Sequence, residues 1–578
     1  MSILRDLRER FASSLASLGE DPKKWLDQIR RTQSPQYGDY QANLAMCLAK
    51  RFAKSPRQLA QELVARTELA DLCQRVEVAG PGFINMWLRD KVLSERLAEA
   101  LADERLGIPP VEKPETFVID YSAPNVAKPM HVGHIRSTVI GDSIYRTLRF
   151  MGHRVISDNH IGDWGVQFGM IIYGWKHYAN PENFQRDPLG ELGRLYRLVN
   201  ELAEKDPAVA QAVQEETAKL HAGDSENLEL WRKFMPICLE EIERIYRRLG
   251  VSFDYTLGES FYHDRLPGLV EDLLRRNIAR ESEGAVCIFL EGFKAPMIIR
   301  KRNGAFLYAT TDLATLVYRM ETWNPDWILY VVDHRQSLHF QQLFAAARLL
   351  GYERVKLVHV SFGTVLGEDG RPFRTRSGET VALEELLDEA VARARKIVDA
   401  NDNAKPGGPE LSEEERARIA EVVGIGALKY ADLSQNRTSD YVFSFDKMLA
   451  MDGNTGAYMQ YAYARVRSIF AKGGIAPEEI RNRKVSILLP TIPERALALQ
   501  LLRFGEAIEL ALEDFRPNQL TNYLFELATT YSTFYESCPV LQAETPELRL
   551  SRLALCDLTA RTIQKGLELL GIGVVERM

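Results

Sequence analysis

The chain lacks the features of secreted, membrane-embedded and strongly basic proteins. Its six cysteines are far apart in the sequence, which argues against a disulfide framework and favours a reducing compartment such as the cytoplasm. No apolar run is long enough to span a membrane. The first residues do not resemble a signal or transit peptide, because acidic residues already stand within the first helical turns.

The chain also has no excess of basic residues. Its 73 Lys and Arg are outnumbered by 80 Asp and Glu, and the formal net charge is -7 at pH 7. This excludes a uniformly basic surface, although a local basic groove is enough to bind a nucleic acid. With 46% hydrophobic and 26% charged residues, the composition is that of a globular protein with a large core.

The length of 578 residues predicts several domains. Residues 1–108 show helical patterns around a strand–turn–strand segment and predict a small N-terminal α+β domain. Residues 109–400 alternate strands and helices, which predicts an α/β fold with a parallel sheet and a helical insertion around 170–325. Residues 401–452 predict a helical connector, and residues 453–578 predict a C-terminal all-α helical bundle.

The segment Tyr121–His134 combines a strand end, a loop and a helix start. The start of a helix presents free N–H groups and a partial positive charge, which suits a bound phosphate. His131 and His134 add further donors at this position. Gly133 between them has no Cβ, so a flat base could lie against the backbone.

Two simpler interpretations of this histidine pair remain open. Histidines three apart share a helix face and could bind a metal ion, but no third ligand is obvious in the sequence. One histidine could instead pack in the core while the other lies at the surface. Neither interpretation accounts for the preceding strand, or for Asn125 and Lys128 in the loop.

Six strings in this chain resemble arginyl-tRNA synthetases, a family of class I aminoacyl-tRNA synthetases. HVGH at 131–134 is similar to the first class I signature, and SAPNVAKPMHVGHIRST around it is similar to the arginyl form. The other strings follow the family order: PQYGDYQ (35–41), GPGFIN (80–85), NHIGDWGVQFG (159–169), FLYATTDLA (306–314) and QYAYAR (460–465). The resemblance covers essentially the whole chain and implies a Rossmann-type catalytic domain at 109–400.

The resemblance implies a two-step reaction. The carboxylate of L-arginine attacks the α-phosphate of ATP, and the arginyl-adenylate then esterifies the 2′-hydroxyl of the terminal adenosine of tRNA(Arg). The class I pattern implies that His131 and His134 contact the phosphates and ribose and that Gly133 supports the adenine. Further ATP contacts are expected at Pro124, Thr364 and Arg376. Mg²⁺ is expected on the ATP phosphates, with no metal ligand from the protein and no tightly bound cofactor.

The family pattern also places groups that select arginine. A guanidinium is planar and always charged, and carboxylates match it bidentately. Asp312 and Glu259 are the implied carboxylates, and the other implied arginine contacts are Tyr308, Asn125 and Gln336. From the residues alone, Asp312 could instead be a carboxylate stabilised by a helix dipole, and Glu259 could be a solvated loop residue.

The second class I signature departs from the family consensus. The consensus loop carries lysines that hold the β- and γ-phosphates, whereas the corresponding segment here, 362–378, contains no lysine. Some arginyl enzymes share this departure and have a lysine just before the first signature. Growing pyrophosphate charge needs a nearby cation, so our hypothesis is that Lys128 replaces the loop lysine and Arg374 and Arg376 assist.

The N-terminal domain of the family contacts the D-loop of the tRNA, and its C-terminal bundle binds the anticodon. Phe83 and Asn85, two apart on one strand face, match positions that contact a base. Met578 is a third implied tRNA contact. Most aromatic residues of the bundle are expected in its core, because helical spacing buries them. The family is usually monomeric and cytoplasmic, so the same is expected here.

Two other functions stay open at the level of the sequence. A related nucleotidyltransferase or another class I synthetase would share the first signature, and charge alone does not exclude lysine as the substrate. A tRNA-binding paralogue without catalysis could also carry a signature loop that has lost its lysine. ATP–pyrophosphate exchange with arginine, run with and without tRNA, distinguishes these functions.

Overall fold

The computed structural model describes residues 2–32, 34–373 and 381–578. Its N-terminal elements are α1 (Ile3–Ser17), β1 (Ile29–Arg31), β2 (Tyr40–Ala42), α2 (Leu44–Leu48), α3 (Pro56–Arg66), β3 (Cys73–Ala79), β4 (Phe83–Leu88) and α4 (Asp90–Ala102). The four strands form an antiparallel sheet in the order β1-β2-β4-β3. The apolar face of α1 closes its core, since Leu7, Phe11 and Leu15 recur at helical spacing and are fully buried.

The central part of the chain alternates strands and helices, as predicted. Its first half contains β5 (Thr116–Asp120), α5 (Val132–Phe150), β6 (Arg154–Asn159), α6 (Val166–Tyr178), α7 (Pro181–Arg186), α8 (Pro188–Lys205), α9 (Pro207–His221), α10 (Ser225–Leu249), β7 (Tyr255–Thr256), α11 (Glu259–Tyr262) and α12 (Leu266–Arg275). Its second half contains β8 (Ala279–Ser282), β9 (Ala285–Ile288), β10 (Met297–Arg300), α13 (Tyr308–Trp323), β11 (Trp327–Tyr330), α14 (Ser337–Leu349), β12 (Lys356–His359), β13 (Val365–Leu366) and α15 (Leu383–Asn403).

Five strands form the parallel sheet, in the order β12-β11-β5-β6-β7. β5 lies in the middle with the sequence TFVID, and four of its five residues are buried, as expected for a strand covered on both faces. From β5 the chain crosses through α5 to β6 on one side, while β11 and β12 lie on the other. Ligands of such sheets bind where the strand order reverses, at the carboxyl ends of β5 and β11.

Helix α5 is the central helix of the molecule and packs against β5, α15, α16 (Glu413–Leu433), α21 (Phe504–Glu513) and α23 (Pro546–Leu569). It approaches the sheet closely at Gly141, where a Cβ would lie 2.2 Å from Cγ of Tyr121. Only glycine fits at this position without displacing the Tyr121 side chain. The helix start is thereby held directly over the carboxyl end of β5.

The insertion is only partly the helical unit that was predicted. Helices α6 to α10 form its first part. Strands β8, β9 and β10 form a three-stranded antiparallel sheet that was not predicted from the sequence. These strands are four residues long, and a bulge interrupts the β9–β10 pairing, so their alternation is too short to detect.

None of the helices in the described ranges is long and apolar enough to cross a membrane.

The C-terminal part is almost entirely helical, as predicted. After α16 it contains β14 (Tyr441–Val442), α17 (Phe445–Met448), α18 (Gly456–Gly473), α19 (Pro477–Arg481), α20 (Ile492–Leu502), α21, α22 (Asn518–Ser537) and α23. A capping box begins α16, because Ser412 and Glu415 cap each other's backbone N–H groups. Strand β14 is the exception to the helical pattern and pairs in parallel with β13.

A buried ion-pair triad ties α13 to the parallel sheet. Arg319 is fully buried, and its Nη2 lies 2.7 Å from Asp120 Oδ2 at the end of β5 and 2.9 Å from Asp158 Oδ2 in β6. Burial alone would lower the pKa of the Arg319 guanidinium, but the two carboxylates raise that pKa well above its usual value. Arg319 therefore stays charged and sets the position of α13 over the strand ends.

We expect Arg319→Met to destabilise the fold by about 3–5 kcal/mol, because two carboxylates would remain buried without a counter-charge. The matched control is Arg302→Met, which removes an ion pair to Glu283 whose two side chains are mostly exposed; its loss should stay below about 1 kcal/mol. Urea unfolding followed by tryptophan fluorescence measures both free energies. Equal losses for the two variants would contradict the structural role of Arg319.

Candidate active site

A cavity of about 660 Å³ lies at the predicted ligand position, beside the carboxyl ends of β5 and β11. Its walls come from residues 122–137, 331–336 and 362–373, with Asp440 from the segment before β14. Of the residues predicted to bind ATP and arginine, His131, Gly133, His134, Gln336 and Thr364 line this one cavity. Loops after three different strands therefore meet at the start of α5.

Both signature histidines line the cavity and use Nδ1 to accept a backbone N–H. His131 is the N-cap of α5, and its Nδ1 accepts the backbone N–H of Gly133 at 3.0 Å. His134 Nδ1 accepts the backbone N–H of His131, also at 3.0 Å. Because both Nδ1 atoms are acceptors, a neutral ring carries its proton on Nε2. Each Nε2–H is then a donor.

Both histidines are neutral near pH 7. Burial lowers the pKa of His134 to about 3, and the adjacent His131 ring adds to the effect. Burial also lowers the pKa of His131, together with the positive charges of Lys128 and Arg335. Neutral donors in low-dielectric surroundings bind phosphate oxygens through hydrogen bonds rather than through full charge.

Gly133 is exposed in the first turn of α5, directly against the His131 ring. A Cβ on this residue would lie 2.8 Å from His131 Cε1, so a larger residue would push the imidazole away. Glycine thus keeps both the ring position and an open backbone surface. This surface suits a flat base such as the adenine expected at Gly133.

Lys128 lies in the loop before α5 and is half-buried. Its Nζ stands 5.3 Å from the centroid of the Tyr196 ring, a cation–π contact with the insertion. Within the described ranges, no carboxylate forms an ion pair with this ammonium. The two arginines predicted to assist it, Arg374 and Arg376, lie outside the described residues.

Two further predicted nucleotide contacts lie in ordered backbone. Pro124 is buried, and its carbonyl accepts the N–H of Gly162 at 3.0 Å. The N–H of Thr364 donates to Asp440 Oδ1 at 2.6 Å, which joins the cavity wall to the segment before β14. Of these two residues, Thr364 lines the cavity and Pro124 does not.

Two of the predicted arginine contacts, Glu259 and Asp312, are neighbouring carboxylates, and neither is among the residues that line this cavity. Asp312 is the fifth residue of α13, so it is not the cap of that helix; Leu307 occupies the N-cap position. Glu259 begins the short helix α11 and is half-buried rather than solvated. Burial raises the pKa of Glu259, and the nearby charges of Asp163 and Asp312 raise it further, while His160 lowers it.

No Lys or Arg within the described ranges forms an ion pair with Glu259 or Asp312. Two neighbouring, partly buried carboxylates without a cation are costly to keep charged, which is typical of a site that receives a cationic ligand. Around them, Tyr308 is 62% exposed at the start of α13. Asn125 is held in its loop by a bond from the Ala127 N–H to Asn125 Oδ1, and Gln336 is exposed.

Sequence reasoning missed two histidines in this region. His160 follows β6, and His339 lies in the first turn of α14; both turn Nε2 towards Asp312. The signal for His160 was present in the NHIGDWGVQFG string, and His339 stands three residues after Gln336. Asp163, in the same string, accepts hydrogen bonds from the Ser260 N–H and hydroxyl and so fixes the start of α11.

The residues predicted to contact tRNA lie on other parts of the molecule. Phe83 and Asn85 stand on β4 of the N-terminal sheet, where Phe83 is half-buried and Asn85 is only 3% exposed. Asn85 Oδ1 accepts a hydrogen bond from Gln41 Nε2 at 2.7 Å, which leaves its amide N–H groups as donors. Met578 ends the chain and packs against the main core.

Comparison with known proteins identifies three family models along the chain. The model "tRNA synthetases class I (R), catalytic domain" matches residues 96–445. "Arginyl tRNA synthetase N terminal domain" matches residues 5–88, and "DALR anticodon binding domain" matches residues 459–578. Together they span most of the sequence in the order that the six strings predicted.

Individual relatives are similar over the full length. The arginine–tRNA ligase of Rhodopirellula baltica is 47% identical and covers 99% of both chains, and that of Escherichia fergusonii is 46% identical over 100% of both. Among solved structures, an arginyl-tRNA synthetase from Plasmodium falciparum superimposes with a TM-score of 0.83 at 29% identity, covering 100% of this chain and 99% of its own. One from Thermus thermophilus gives 0.82 at 27% identity and 100% coverage of both.

The lowered pKa of His134 predicts its behaviour on titration. As pH falls below about 6.5, the unfolded chain takes up a proton at this residue but the folded chain does not, so its contribution to stability decreases. In ¹⁵N-histidine NMR of the folded protein, the His134 resonances should stay unchanged between pH 5 and 8. The same protein in urea should titrate near pH 6.5. A folded-state midpoint near 6.5 would contradict the buried, neutral arrangement.

Proposed function

Because the chain belongs to the arginyl-tRNA synthetases of class I, we propose that its cavity binds ATP and its adjacent carboxylate pair binds L-arginine. The protein ligates L-arginine to its tRNA with ATP, through arginyl-adenylate and transfer to the 2′-hydroxyl of the terminal adenosine. The observation that carries the placement is the pair Glu259 and Asp312, partly buried without a cationic partner in the described part of the chain. His339, which contacts Asp312, stands three residues after Gln336, and Gln336 lines the cavity at the start of α5, where a phosphate is favoured.

In this arrangement the enzyme acts by positioning and by stabilising charge on the phosphates. The arginine carboxylate must reach the α-phosphate in line with the leaving pyrophosphate, and fixed groups on both sides lower the entropic cost. His131 and His134 donate Nε2–H to the triphosphate and ribose, and Gly133 supports the adenine. The start of α5 adds its free N–H groups and positive dipole end. Pro124, Thr364 and Arg376 complete the nucleotide contacts in this proposal.

Mg²⁺ is proposed to travel with ATP rather than to occupy a protein site. No cluster of three or more His, Cys, Asp or Glu within the described ranges could hold a metal ion. The histidines at the phosphate side already use Nδ1 for backbone contacts, and Asp333 is held by Arg335. Phosphate oxygens and water therefore supply the coordination of Mg²⁺, which neutralises part of the phosphate charge.

Lys128 is proposed to supply the cation that the second signature lacks. Its ammonium has no ion-pair partner within the described ranges, and its loop leads directly into the start of α5. A charge of this kind stabilises the pyrophosphate as negative charge develops on it. Arg374 and Arg376 assist from the signature loop in this proposal.

Lys128→Ala should lower arginine-dependent ATP–pyrophosphate exchange, measured with tRNA present, by about 100- to 1000-fold. Lys128→Arg keeps the charge and should lose less. The control is Lys113→Ala, which removes an exposed lysine outside the cavity and should leave the rate unchanged. If Lys128→Ala exchanges as fast as the wild type, the lysine is a loop residue without a catalytic role.

Arginine is proposed to bind with its guanidinium at Glu259 and Asp312. Tyr308 covers the side chain from the start of α13. Asn125 and Gln336 contact the remainder of the substrate in this proposal, and Gln336 lines the cavity. Two carboxylates can match the two edges of a planar guanidinium, which a lysine ammonium does not fill equally.

Asp312→Asn should raise the KM for arginine in tRNA-dependent exchange by about 10- to 100-fold, because one charge-assisted hydrogen bond is lost. Glu259→Gln should have a similar effect. The KM for ATP should stay within about twofold, since the nucleotide contacts are separate. The control Glu283→Gln changes a carboxylate that is 85% exposed.

The substrate itself is tested by the same exchange reaction with other amino acids. Wild-type protein should exchange with arginine and tRNA and remain silent with lysine. Exchange driven by lysine would refute the assignment of the carboxylate pair. No exchange with arginine and tRNA would refute catalysis altogether. Omission of tRNA separates direct activation from activation that requires tRNA.

The remaining parts of the chain are proposed to hold the tRNA. Residues 1–108 contact the D-loop through Phe83 and Asn85, residues 109–400 carry the chemistry with an insertion around 170–325, residues 401–452 connect, and residues 453–578 bind the anticodon. Met578 completes the tRNA contacts in this proposal. The protein is proposed to work as a monomer in the cytoplasm, which its unpaired cysteines favour.

A further inference from the structure

Two histidines contact the Asp312 carboxylate region in different ways. His339 Nε2 lies 2.6 Å from Asp312 Oδ2, a hydrogen bond in which the carboxylate can only accept. His339 therefore carries a proton on Nε2 and holds one carboxylate oxygen. The His339 side chain is 10% exposed and contacts the Tyr308 ring in a tilted arrangement, with 4.9 Å between the ring centroids, so it orients Asp312 from the α14 side.

Whereas His339 carries its proton on Nε2, His160 carries its proton on Nδ1. Its Nδ1 lies 3.1 Å from the backbone carbonyl of Leu257, which can only accept, so Nδ1 carries the proton. In the neutral ring, Nε2 then has a lone pair. This Nε2 stands 3.9 Å from Asp312 Oδ1, outside hydrogen-bond range. Two acceptors therefore face each other, and a donor is missing between them.

The same ring is also close to Glu259. It is one of the groups that act on the pKa of the Glu259 carboxyl. The ring packs against Tyr262 at 5.5 Å between centroids, and its side chain is 12% exposed, so its position is well defined. Because Nδ1 donates to the Leu257 carbonyl, the neutral His160 ring is a third acceptor beside the two carboxylates.

We propose that His160 Nε2 accepts a hydrogen bond from the guanidinium of bound arginine and helps to select arginine over lysine. The proposal rests on the arginine site proposed above and adds to it a neutral acceptor. A guanidinium has five N–H donors in one plane. One oxygen of Asp312 already accepts the N–H of His339, so the two carboxylates alone offer fewer free acceptor atoms than the guanidinium has donors. Asp312 Oδ1, the Glu259 carboxylate and His160 Nε2 together supply acceptors for more of those donors than the carboxylates alone.

The geometry also explains why such an acceptor discriminates. A buried acceptor that remains unpaired costs free energy, so a ligand that leaves His160 Nε2 empty binds less well. The lysine ammonium has three donors around one atom and does not reach separated acceptors as a planar fork does. His339 acts differently: it positions Asp312 without contacting the substrate in this arrangement.

Two substitutions separate the acceptor from the structural contact. His160→Asn places its amide nitrogen near the position of Nδ1, so it keeps the donor to the Leu257 carbonyl but lacks an acceptor at Nε2. His160→Gln reaches the position of Nε2 and can present its carbonyl oxygen there. His160→Met fills a similar volume without an acceptor and replaces the Asn variant if that variant does not fold.

Steady-state tRNA-dependent exchange then gives the KM for arginine and for ATP. His160→Asn should raise the KM for arginine by about 10-fold or more, as expected for loss of a hydrogen bond to a charged group. His160→Gln should recover most of that loss. The KM for ATP and the thermal midpoint should match the wild type in both variants. With lysine added as an inhibitor, the ratio of the lysine inhibition constant to the KM for arginine should decrease in His160→Asn.

An unchanged KM for arginine in His160→Asn would overturn the proposal. An equal rise in both KM values with a lowered thermal midpoint would also overturn it, since this is what a purely structural residue produces. Asp312→Asn, assayed in parallel, distinguishes the two levels of inference. If Asp312→Asn raises the KM for arginine and His160→Asn does not, only the role of His160 is wrong; if neither does, the arginine site itself is misplaced.

Discussion

The contact between Arg319 and the two buried aspartates is the constraint on which the site depends. Asp120 and Asp158 end or nearly end the neighbouring strands β5 and β6, and Arg319 joins both to α13. Loops that leave those strands carry the nucleotide and arginine contacts, while α13 carries Asp312 two helical turns before Arg319. The triad therefore sets the distance between Asp312, one of the two carboxylates proposed to bind arginine, and helix α5. Since buried ion pairs contribute little net stability compared with apolar packing, its value lies in this fixed geometry.

The nucleotide cavity is not completed by the sheet alone. Arg437, in the segment between α16 and β14, donates to the Ser361 carbonyl at 2.5 Å and to the Asp514 and Phe515 carbonyls at 3.0 Å each. Its own carbonyl accepts the Gly363 N–H. One guanidinium thus joins the wall that contains Thr364 to the end of α21 in the helical bundle. Lys429 makes a second junction by donating to the Leu249 and Gly571 carbonyls, where burial lowers its pKa to about 8. The bundle and the catalytic sheet are consequently one connected structure around α5.

Local signals made much of this structure predictable, whereas contacts between distant segments did not follow from the sequence. The strand before Tyr121, the helix start at His131 and the parallel strands all depend on neighbouring residues, and these predictions are confirmed. The short strands β8 to β10 were missed because four residues are too few for a clear alternation. The meeting of residues 160, 259, 312 and 339 depends on how four separate elements pack, which no local pattern encodes. Family resemblance gave Asp312 and Glu259, but not the two histidines or their opposite protonated nitrogens.

The start of α5 and the pair Glu259 and Asp312 are proposed to form one arginine-activating site. The most direct test is a crystal structure with L-arginine and a non-hydrolysable ATP analogue. We expect the guanidinium between the two carboxylates and the triphosphate against His131, His134 and the Lys128 ammonium. An arginine bound elsewhere, or a triphosphate that leaves Lys128 on the Tyr196 ring, would contradict it.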